Sequence, residues 1–243
     1  MARQKKKTVL GTVVAVLVVV ALVWMKIQET RDERVREGTL REGSVEIPKP
    51  QAKDVAEIGK LLTGVRVTSS RFEVIGDCEL IDSRGNDGDS FLIRTPSGDR
   101  EEVRLYFVDA PESAAREYGN GDTNYKRIAD QGKVLGGLNR DQTTQVGVEA
   151  KLFVKELLTG KKFRVATIRE SVYRSRRIYA FVMVTYEGEE RYLHELLVMR
   201  GLARIHTKPM TLPDNTSGSR QRDRLRKLEQ FAKSKNYGAW GIR

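Results

Sequence analysis

The chain has 243 residues, of which 39% are hydrophobic and 32% are charged. This length suits one domain plus a smaller appendage, and the alternation of apolar runs with charge excludes disorder as the main state. The single cysteine, Cys78, excludes an intrachain disulfide scaffold, and one Cys with two His is too few for a structural zinc site. Lys+Arg 44 against Asp+Glu 33 gives a net charge of +11, which indicates a polyanionic partner, either nucleic acid or an anionic membrane surface.

The N-terminus is typical of a membrane anchor. Residues 1–7 are basic and residues 8–25 carry no charged side chain. As a helix at about 1.5 Å per residue, the second segment would extend for about 27 Å, close to the thickness of a thin hydrocarbon core. A cleaved signal peptide is the alternative, but its apolar stretch is usually shorter and ends in small residues. We therefore expect a single-pass helix over 8–25 with a cytoplasmic N-terminus and an extracytoplasmic domain, periplasmic or on the cell surface if the cell is bacterial.

The remaining chain divides into a charged linker over 26–64, with a short helix over 51–63, and one domain over 65–243. Apolar runs and alternation predict five strands, over 71–81, 91–95, 101–108, 162–168 and 178–186. Helical spacing predicts three helices in the domain, over 150–158, 192–200 and 220–235. Residues 113–145 are polar and long, so they form either a lid or an insertion with short helices of its own. Five strands with about three helices suit an α+β fold built on a closed barrel of the OB type.

Two acidic clusters lie at strand ends of the expected meander. Residues 87–90 (DGDS) stand where a strand begins, and residues 108–112 (VDAPE) stand where one ends. Each cluster alone is typical of a solvated turn, but carboxylates on adjacent strand ends can also begin a site for a hard cation such as Ca²⁺. Arg104 precedes the second cluster on the same strand, and Pro111 would fix the geometry of that cluster. A carboxylate able to deprotonate water, beside a metal and an arginine, is what phosphodiester hydrolysis requires.

Two basic segments are each open to two interpretations. Residues 173–177 (YRSRR) offer a second arginine just before a strand, or form an exposed basic loop. The basic helix over 220–235 presents a solvated face, or attracts a phosphate backbone in a way that weakens with salt.

From about residue 78 to residue 240, the chain resembles the staphylococcal (thermonuclease-like) nucleases, which are Ca²⁺-dependent enzymes on an OB-fold. Several motifs in family order are far more specific than any one of them. They are NDGDSF (86–91), RLYFVDAPES (104–113), GVEAKLFVKELL (147–158), RRIYAFV (176–182), HELLVMRGLARI (194–205) and RLRKLEQFAKSKNYGAW (224–240).

The resemblance implies a calcium site. The carboxylates of Asp89 and Asp109 and the backbone carbonyl of Ala110 would bind Ca²⁺, while Asp87 would lie close to the ion without binding it directly. The ion would therefore be held between the two acidic clusters.

The resemblance also implies the catalytic residues. Glu112 would act as a general base on a water molecule, and Arg104 would contact the phosphate and its transition state. A second arginine would also contact the phosphate and its transition state. Counting back from Ala180 identifies this residue as Arg177, with Arg176 as the alternative. Cleavage of the 5′ P–O bond would leave 3′-phosphates on both DNA and RNA.

Three features depart from the family pattern. The insertion over 113–145 replaces a much shorter loop, Ser175 stands where well-known members carry a tyrosine, and residues 204–209 lack the tyrosines that pack there against the nucleotide. Because stacking contributes about 1–3 kcal/mol per base, base preference does not transfer to this chain.

Taken with the anchor, these features predict a membrane-anchored, Ca²⁺-dependent endonuclease with DNA and RNA as substrates and no obligate protein partner. Two alternatives stay open. One is a non-catalytic nucleic-acid-binding OB-fold module tethered to the membrane, and the other is an envelope protein whose positive charge holds anionic lipid.

Overall fold

The computed structural model describes residues 46–173 and 175–242. The predicted basic segment over 1–7, the predicted anchor over 8–25 and much of the predicted linker lie outside these residues. Within the described ranges, no helix is long and apolar enough to cross a membrane.

Five strands of the domain close into a barrel. The described residues form eight strands in all, which are β1 (Glu73–Leu80), β2 (Ser90–Arg94), β3 (Arg100–Leu105), β4 (Val108–Asp109), β5 (Phe163–Ser171), β6 (Ile178–Tyr186), β7 (Glu189–Tyr192) and β8 (Arg204–Ile205). Of these eight, β1, β2, β3, β5 and β6 build the barrel. Antiparallel pairing orders the main sheet as β3-β2-β1-β5-β6, and a parallel pairing of β3 with β6 closes it. Strand β7 extends the sheet beyond β6, and β4 pairs with β8 in a separate two-stranded sheet. The closed five-stranded barrel fits the expected α+β OB-fold.

The described residues contain five α-helices, one more than the short helix over 51–63 and the three domain helices that the sequence predicts. They are α1 (Val55–Leu61), α2 (Tyr125–Val134), α3 (Arg140–Leu158), α4 (Leu193–Met199) and α5 (Gly218–Ser234), with short 3₁₀ helices at Ala52–Asp54 and Gly238–Gly241. The additional helix is α2, which lies within the insertion over 113–145 together with the first turns of α3. Helix α3 begins early because Asn139 and Gln142 form a capping box, with side chain-to-backbone bonds of 2.9 and 3.0 Å.

The barrel interior and the inner face of α3 form one apolar core. Alternate strand positions such as Ile93, Val103 and Phe181 are fully buried, as expected for side chains that point into a small barrel. Helix α3 covers the barrel with an apolar stripe that includes Val154 and Leu158. Burying each large apolar side chain contributes about 1.5–3 kcal/mol, so this core holds the strand ends that carry the acidic clusters.

Residues 46–62, which the sequence assigns to a linker, pack against the domain. Ile47, Ile58 and Leu62 are at most 7% exposed, and the carbonyl of Pro48 accepts a hydrogen bond from Gly238 N at 2.8 Å. The described residues, from 46 onward, belong to one compact unit. The packed unit therefore starts before the expected boundary at residue 65, because apolar side chains interspersed among charges find places in the core.

Candidate active site

Two carboxylates from different strand ends lie together. Asp89 directly precedes β2, and Asp109 ends β4. The carbonyl of Asp89 accepts a hydrogen bond from Leu105 N, at the end of β3, at 2.9 Å. Asp89 and Asp109 are each 2% exposed. The two acidic clusters therefore meet at one end of the barrel.

Arg104 on β3 joins these two carboxylates. Its Nη1 lies 2.9 Å from Asp89 Oδ1, and its Nη2 lies 2.7 Å from Asp109 Oδ1. Nη1 also donates to Ser90 Oγ at 3.2 Å. Burial alone would lower the pKa of Arg104, but the charges of Asp89 and Asp109 outweigh it and raise that pKa. The guanidinium is therefore a permanently charged group in a fixed orientation.

Asp109 accepts N–H groups from three further side chains. Arg127 Nη2 lies 2.9 Å from its Oδ1, while Arg204 Nε at 2.8 Å and Gln131 Nε2 at 3.0 Å reach its Oδ2. Burial alone would raise the pKa of Asp109, but the Gln131 hydrogen bond and the charges of Arg104, Arg127 and Arg204 hold it below its usual value. Asp109 is thus a buried carboxylate that its neighbours keep ionised.

Asp89 and Ala110 complete the group of oxygen atoms that the resemblance assigns to Ca²⁺. Ala110 N donates to Asp89 Oδ2 at 2.6 Å, and the Ala110 carbonyl accepts from Gln131 Nε2 at 3.0 Å. Burial raises the pKa of Asp89 to about 6, although the charge of Arg104 opposes this shift. Both carboxylates and the carbonyl therefore already accept N–H groups.

Glu112 lies beside this cluster, where the chain enters the insertion. Its backbone N–H donates to Gln131 Oε1 at 3.1 Å. Its carboxylate pairs with Arg127 Nε at 2.9 Å and accepts Asn124 Nδ2 at 3.4 Å. The side chain is 20% exposed, so that a water molecule can reach it.

Helix α3 packs directly against both acidic clusters because two glycines permit it. A Cβ at Gly147 would lie 2.5 Å from the carbonyl oxygens of both Pro111 and Glu112. A Cβ at Gly88 would lie 2.6 Å from the Cβ of Ala150 on α3. Any side chain at these positions would push the helix away from the segments that carry Asp89 and Glu112.

The remaining predicted residues lie at the edges of the site. Asp87 accepts a hydrogen bond from Ser113 Oγ at 2.8 Å and so ties the first acidic cluster to the start of the insertion. Arg177 precedes β6, donates from Nε to Ser175 Oγ at 3.4 Å, and lines the same cleft as Arg104. Arg176 is exposed and is not one of the described residues that line the cleft.

The cleft beside the acidic cluster has a volume of about 680 Å³ and strongly basic walls. Its charged lining residues are Arg104, Arg127, Arg177, Arg204, Lys208 and Arg222, against Asp109 and Glu170. Tyr173 also lines it and is 90% exposed. A basic cleft with an exposed aromatic ring can bind a phosphate backbone and stack a base.

Sequence reasoning missed Arg127, Gln131 and Arg204 as parts of the site. The first two lie in the polar insertion, and their contact with Asp109 arises only when α2 packs against the barrel. Arg204 stands opposite Asp109 in the β4–β8 register, and its place in the HELLVMRGLARI motif was the one available signal.

The expected calcium ligands do not fit that ion as the structure arranges them. Asp89, Asp109 and the Ala110 carbonyl accept N–H groups from guanidinium, amide and backbone donors. Within the ranges that the structure describes, no group of three or more His, Cys, Asp or Glu side chains could hold a metal ion. Ca²⁺ needs several oxygen ligands, and nearby guanidinium charges oppose a second cation.

The described domain is thus a closed five-stranded barrel with a basic cleft beside its acidic cluster. The family model described as staphylococcal nuclease homologue matches residues 102–241, which include Arg104, Asp109 and Glu112. The chain therefore belongs to this nuclease family. Among curated proteins, no match was found.

Proposed function

We propose that this chain is an endonuclease that hydrolyses phosphodiester bonds in DNA and RNA. The observation that carries the proposal is a continuous chain of ion pairs beside the basic cleft. Arg127 joins Glu112 to Asp109, and Asp109 joins Arg127 to Arg104, with N–O distances of 2.7–2.9 Å. A base and a phosphate-binding group thus share one cluster in a member of a nuclease family.

Glu112 is the general base of the proposed mechanism. Its carboxylate takes a proton from a water molecule, and the resulting hydroxide oxygen forms a bond to phosphorus. The bond between phosphorus and O5′ breaks, and O5′ keeps the electron pair and gains a proton from solvent. The products are a 3′-phosphate and a 5′-hydroxyl. A positioned base of this kind contributes about 10²–10⁴-fold in rate.

Arg104 and Arg177 stabilise the phosphoryl oxygens in this mechanism. Both line the cleft, so that a phosphate group within it has guanidinium groups on two walls. Asp89 and Asp109 hold Arg104 in one orientation, and donors fixed in this way need no reorganisation when charge develops. Guanidinium groups also match phosphate oxygens with paired hydrogen bonds.

The resemblance implies that the enzyme depends on Ca²⁺, but the arrangement of the implied ligands does not fit that ion. Asp89, Asp109 and the Ala110 carbonyl are the groups that would hold the ion, with Asp87 nearby. They accept N–H groups in the described arrangement, so we assign no step of the mechanism to a metal.

We also propose that residues 8–25 anchor the enzyme in a membrane, with residues 1–7 in the cytoplasm and the nuclease domain on the other side. The sequence alone supports this proposal, through the uncharged segment and the basic residues before it. Protease added to intact cells or spheroplasts should digest the domain. Protection of the domain until the membrane is broken would contradict the proposed orientation.

The test of the nuclease uses the full-length chain with single-stranded DNA and RNA, in Ca²⁺ and in chelator. We expect fragments with 3′-phosphate ends, which disappear with Glu112→Gln. DNA that is bound but stays intact under both conditions would favour the binding module instead. Binding to anionic liposomes without any effect on nucleic acid would favour the envelope protein.

A further inference from the structure

Helix α2 of the insertion directs two side chains at the acidic cluster. Arg127 and Gln131 are one turn apart on this helix, and both contact Asp109. Neither belongs to the motifs that carry the resemblance, because the insertion replaces a shorter loop there. Both contacts with Asp109 therefore come from the insertion over 113–145.

The guanidinium of Arg127 bridges the proposed base and the central carboxylate. Nε lies 2.9 Å from Glu112 Oε1, and Nη2 lies 2.9 Å from Asp109 Oδ1. A guanidinium has five N–H donors, and these two ion pairs occupy only part of them. The side chain is 48% exposed and lines the cleft, so a phosphate in the cleft can reach it.

Gln131 fixes the oxygen atoms around this guanidinium. It is fully buried, and its Nε2 donates to Asp109 Oδ2 and to the Ala110 carbonyl, at 3.0 Å in each case. Its Oε1 accepts Glu112 N at 3.1 Å. One amide thus holds Asp109, Ala110 and Glu112 in a set relation through both of its ends.

We propose that Arg127 is a phosphate-binding residue, and that Arg127 and Gln131 occupy the Asp109 and Ala110 oxygen atoms that the resemblance assigns to Ca²⁺. The insertion thereby adds a guanidinium to those of Arg104 and Arg204 at Asp109, and Gln131 acts as a positioning residue for it. This inference rests on the proposed nuclease function and names the group that recognises the substrate phosphate.

The first experiment titrates Ca²⁺ alone into the full-length chain and measures binding by calorimetry. We expect the unmodified chain to bind weakly, with a Kd above about 1 mM, as for poorly matched sites. Arg127→Ala removes one of the three guanidinium charges at Asp109, and Gln131→Glu replaces an N–H donor with an oxygen. We expect each variant to bind Ca²⁺ at least about tenfold more tightly.

Lys126→Ala is the matched control for the calcium titration. Lys126 precedes Arg127 on α2, carries the same charge, is 88% exposed and pairs with Asp130. Its removal should leave Ca²⁺ binding unchanged within about twofold, as expected for a surface pair. Tight Ca²⁺ binding by the unmodified chain that neither α2 variant improves would overturn the proposal.

The second experiment measures binding of a single-stranded DNA oligonucleotide by fluorescence anisotropy in chelator. Arg127→Ala should weaken binding about tenfold and reduce the slope of log affinity against log salt by about 0.7, as for one lost phosphate contact. Lys126→Ala should change neither value. Affinity for the oligonucleotide that is unchanged in Arg127→Ala would overturn the proposal.

These readouts separate this inference from the proposed function. Both experiments measure binding, so they decide the role of Arg127 whether or not the chain cleaves nucleic acid. Cleavage that requires Ca²⁺, together with normal DNA binding by Arg127→Ala, would leave the nuclease standing and reject this inference. Because Arg127 is half exposed, its variant should fold, and thermal unfolding verifies this before either titration.

Discussion

The Nη2 of Arg104 lies 2.7 Å from Oδ1 of Asp109 in the interior of the protein, where the two side chains are 9% and 3% exposed. Removing two charges from water is costly, and their attraction offsets the cost only when their other polar atoms are also satisfied. Asp89 and Ser90 satisfy Arg104 on its other side. The pair is therefore part of the folded framework as well as part of the candidate site.

Arg104→Met should lower both stability and activity. Without the guanidinium, Asp89 and Asp109 lose a shared partner, and we expect the free energy of unfolding to fall by about 3–5 kcal/mol. Arg177→Met is the matched control, because Arg177 lies on the cleft but is 33% exposed. It should abolish cleavage with a stability change below about 1 kcal/mol. Urea denaturation followed by circular dichroism gives the free energy of unfolding of both variants. Equal losses of stability in the two variants would contradict this distinction.

Gly147→Ala should displace the segment that carries Glu112. The added Cβ would lie 2.5 Å from the carbonyl oxygens of Pro111 and Glu112, and overpacking of this kind costs about 1–3 kcal/mol. We expect a lower melting temperature and slower cleavage. The control is Gly59→Ala on α1, where nothing lies within 4 Å of the Cβ position. The free energy of unfolding of that variant should rise by about 0.5–1 kcal/mol because alanine favours the helix. Equal effects of the two substitutions would contradict the close approach of α3 to the segment that carries Glu112.

His194 should make the protein less stable in acid. It lies on α4 among the rings of Phe107, Phe181 and Tyr192, at centroid distances of 5.4–5.7 Å. Burial lowers the pKa of His194 to about 3, and the charge of Arg224 adds to this shift. The unfolded chain takes up a proton near pH 6.5, whereas the folded chain does not. The free energy of unfolding should therefore fall below about pH 6.5, by roughly 1.4 kcal/mol per pH unit.

The contribution of His194 is measured as a difference between two proteins. Urea denaturation of the unmodified chain and of His194→Phe, between about pH 7 and pH 5, should show the steeper loss in the unmodified chain. Asp89 acts in the opposite direction, because its raised pKa favours proton uptake by the folded state below about pH 6. Because both proteins contain Asp89, its contribution cancels when the two pH profiles are subtracted. Parallel pH profiles would show that His194 does not control acid stability.

Two arginines on α5 should differ in their effect on nucleic-acid binding. Arg222 lines the cleft, whereas Arg226 is 65% exposed and pairs with Asp223 one turn earlier on the same helix. Arg222→Ala should weaken binding of single-stranded DNA uniformly across sequences and lower the salt slope by about 0.7. Arg226→Ala should have little effect. Similar losses in both variants would mean that the whole helix, rather than the cleft, attracts the phosphate backbone.

Much of the barrel could be predicted because its strands alternate strongly. Strand β6 has the predicted bounds, Ile178–Tyr186, since a continuous apolar run buried in a barrel has sharp polar ends. Strand β7, by contrast, was missed, because its sequence EERY is short and largely charged. The early start of α3 was missed as well, since its cap at Asn139 lies in a polar stretch without apolar periodicity.

The candidate site could be predicted where its residues lie in the motifs that carry the resemblance. Arg104, Asp109 and Glu112 fall within one motif, so their proximity follows from a single strand and the turn after it. Arg127 and Gln131 reach Asp109 from a separate helix, and no local pattern indicates which face of an isolated polar helix will pack inward. The sequence therefore indicated the oxygen atoms of a calcium site but not the N–H groups that contact them, which only the tertiary structure shows.

The most direct measurement is the single-turnover cleavage of a short labelled single-stranded DNA by the full-length chain and by Glu112→Gln. Binding of the same DNA is measured in parallel, so that loss of chemistry is separated from loss of affinity. If Glu112 is the general base, cleavage should slow by at least about 100-fold while binding changes by less than about threefold. Cleavage by the variant at the rate of the unmodified chain would contradict the proposed mechanism.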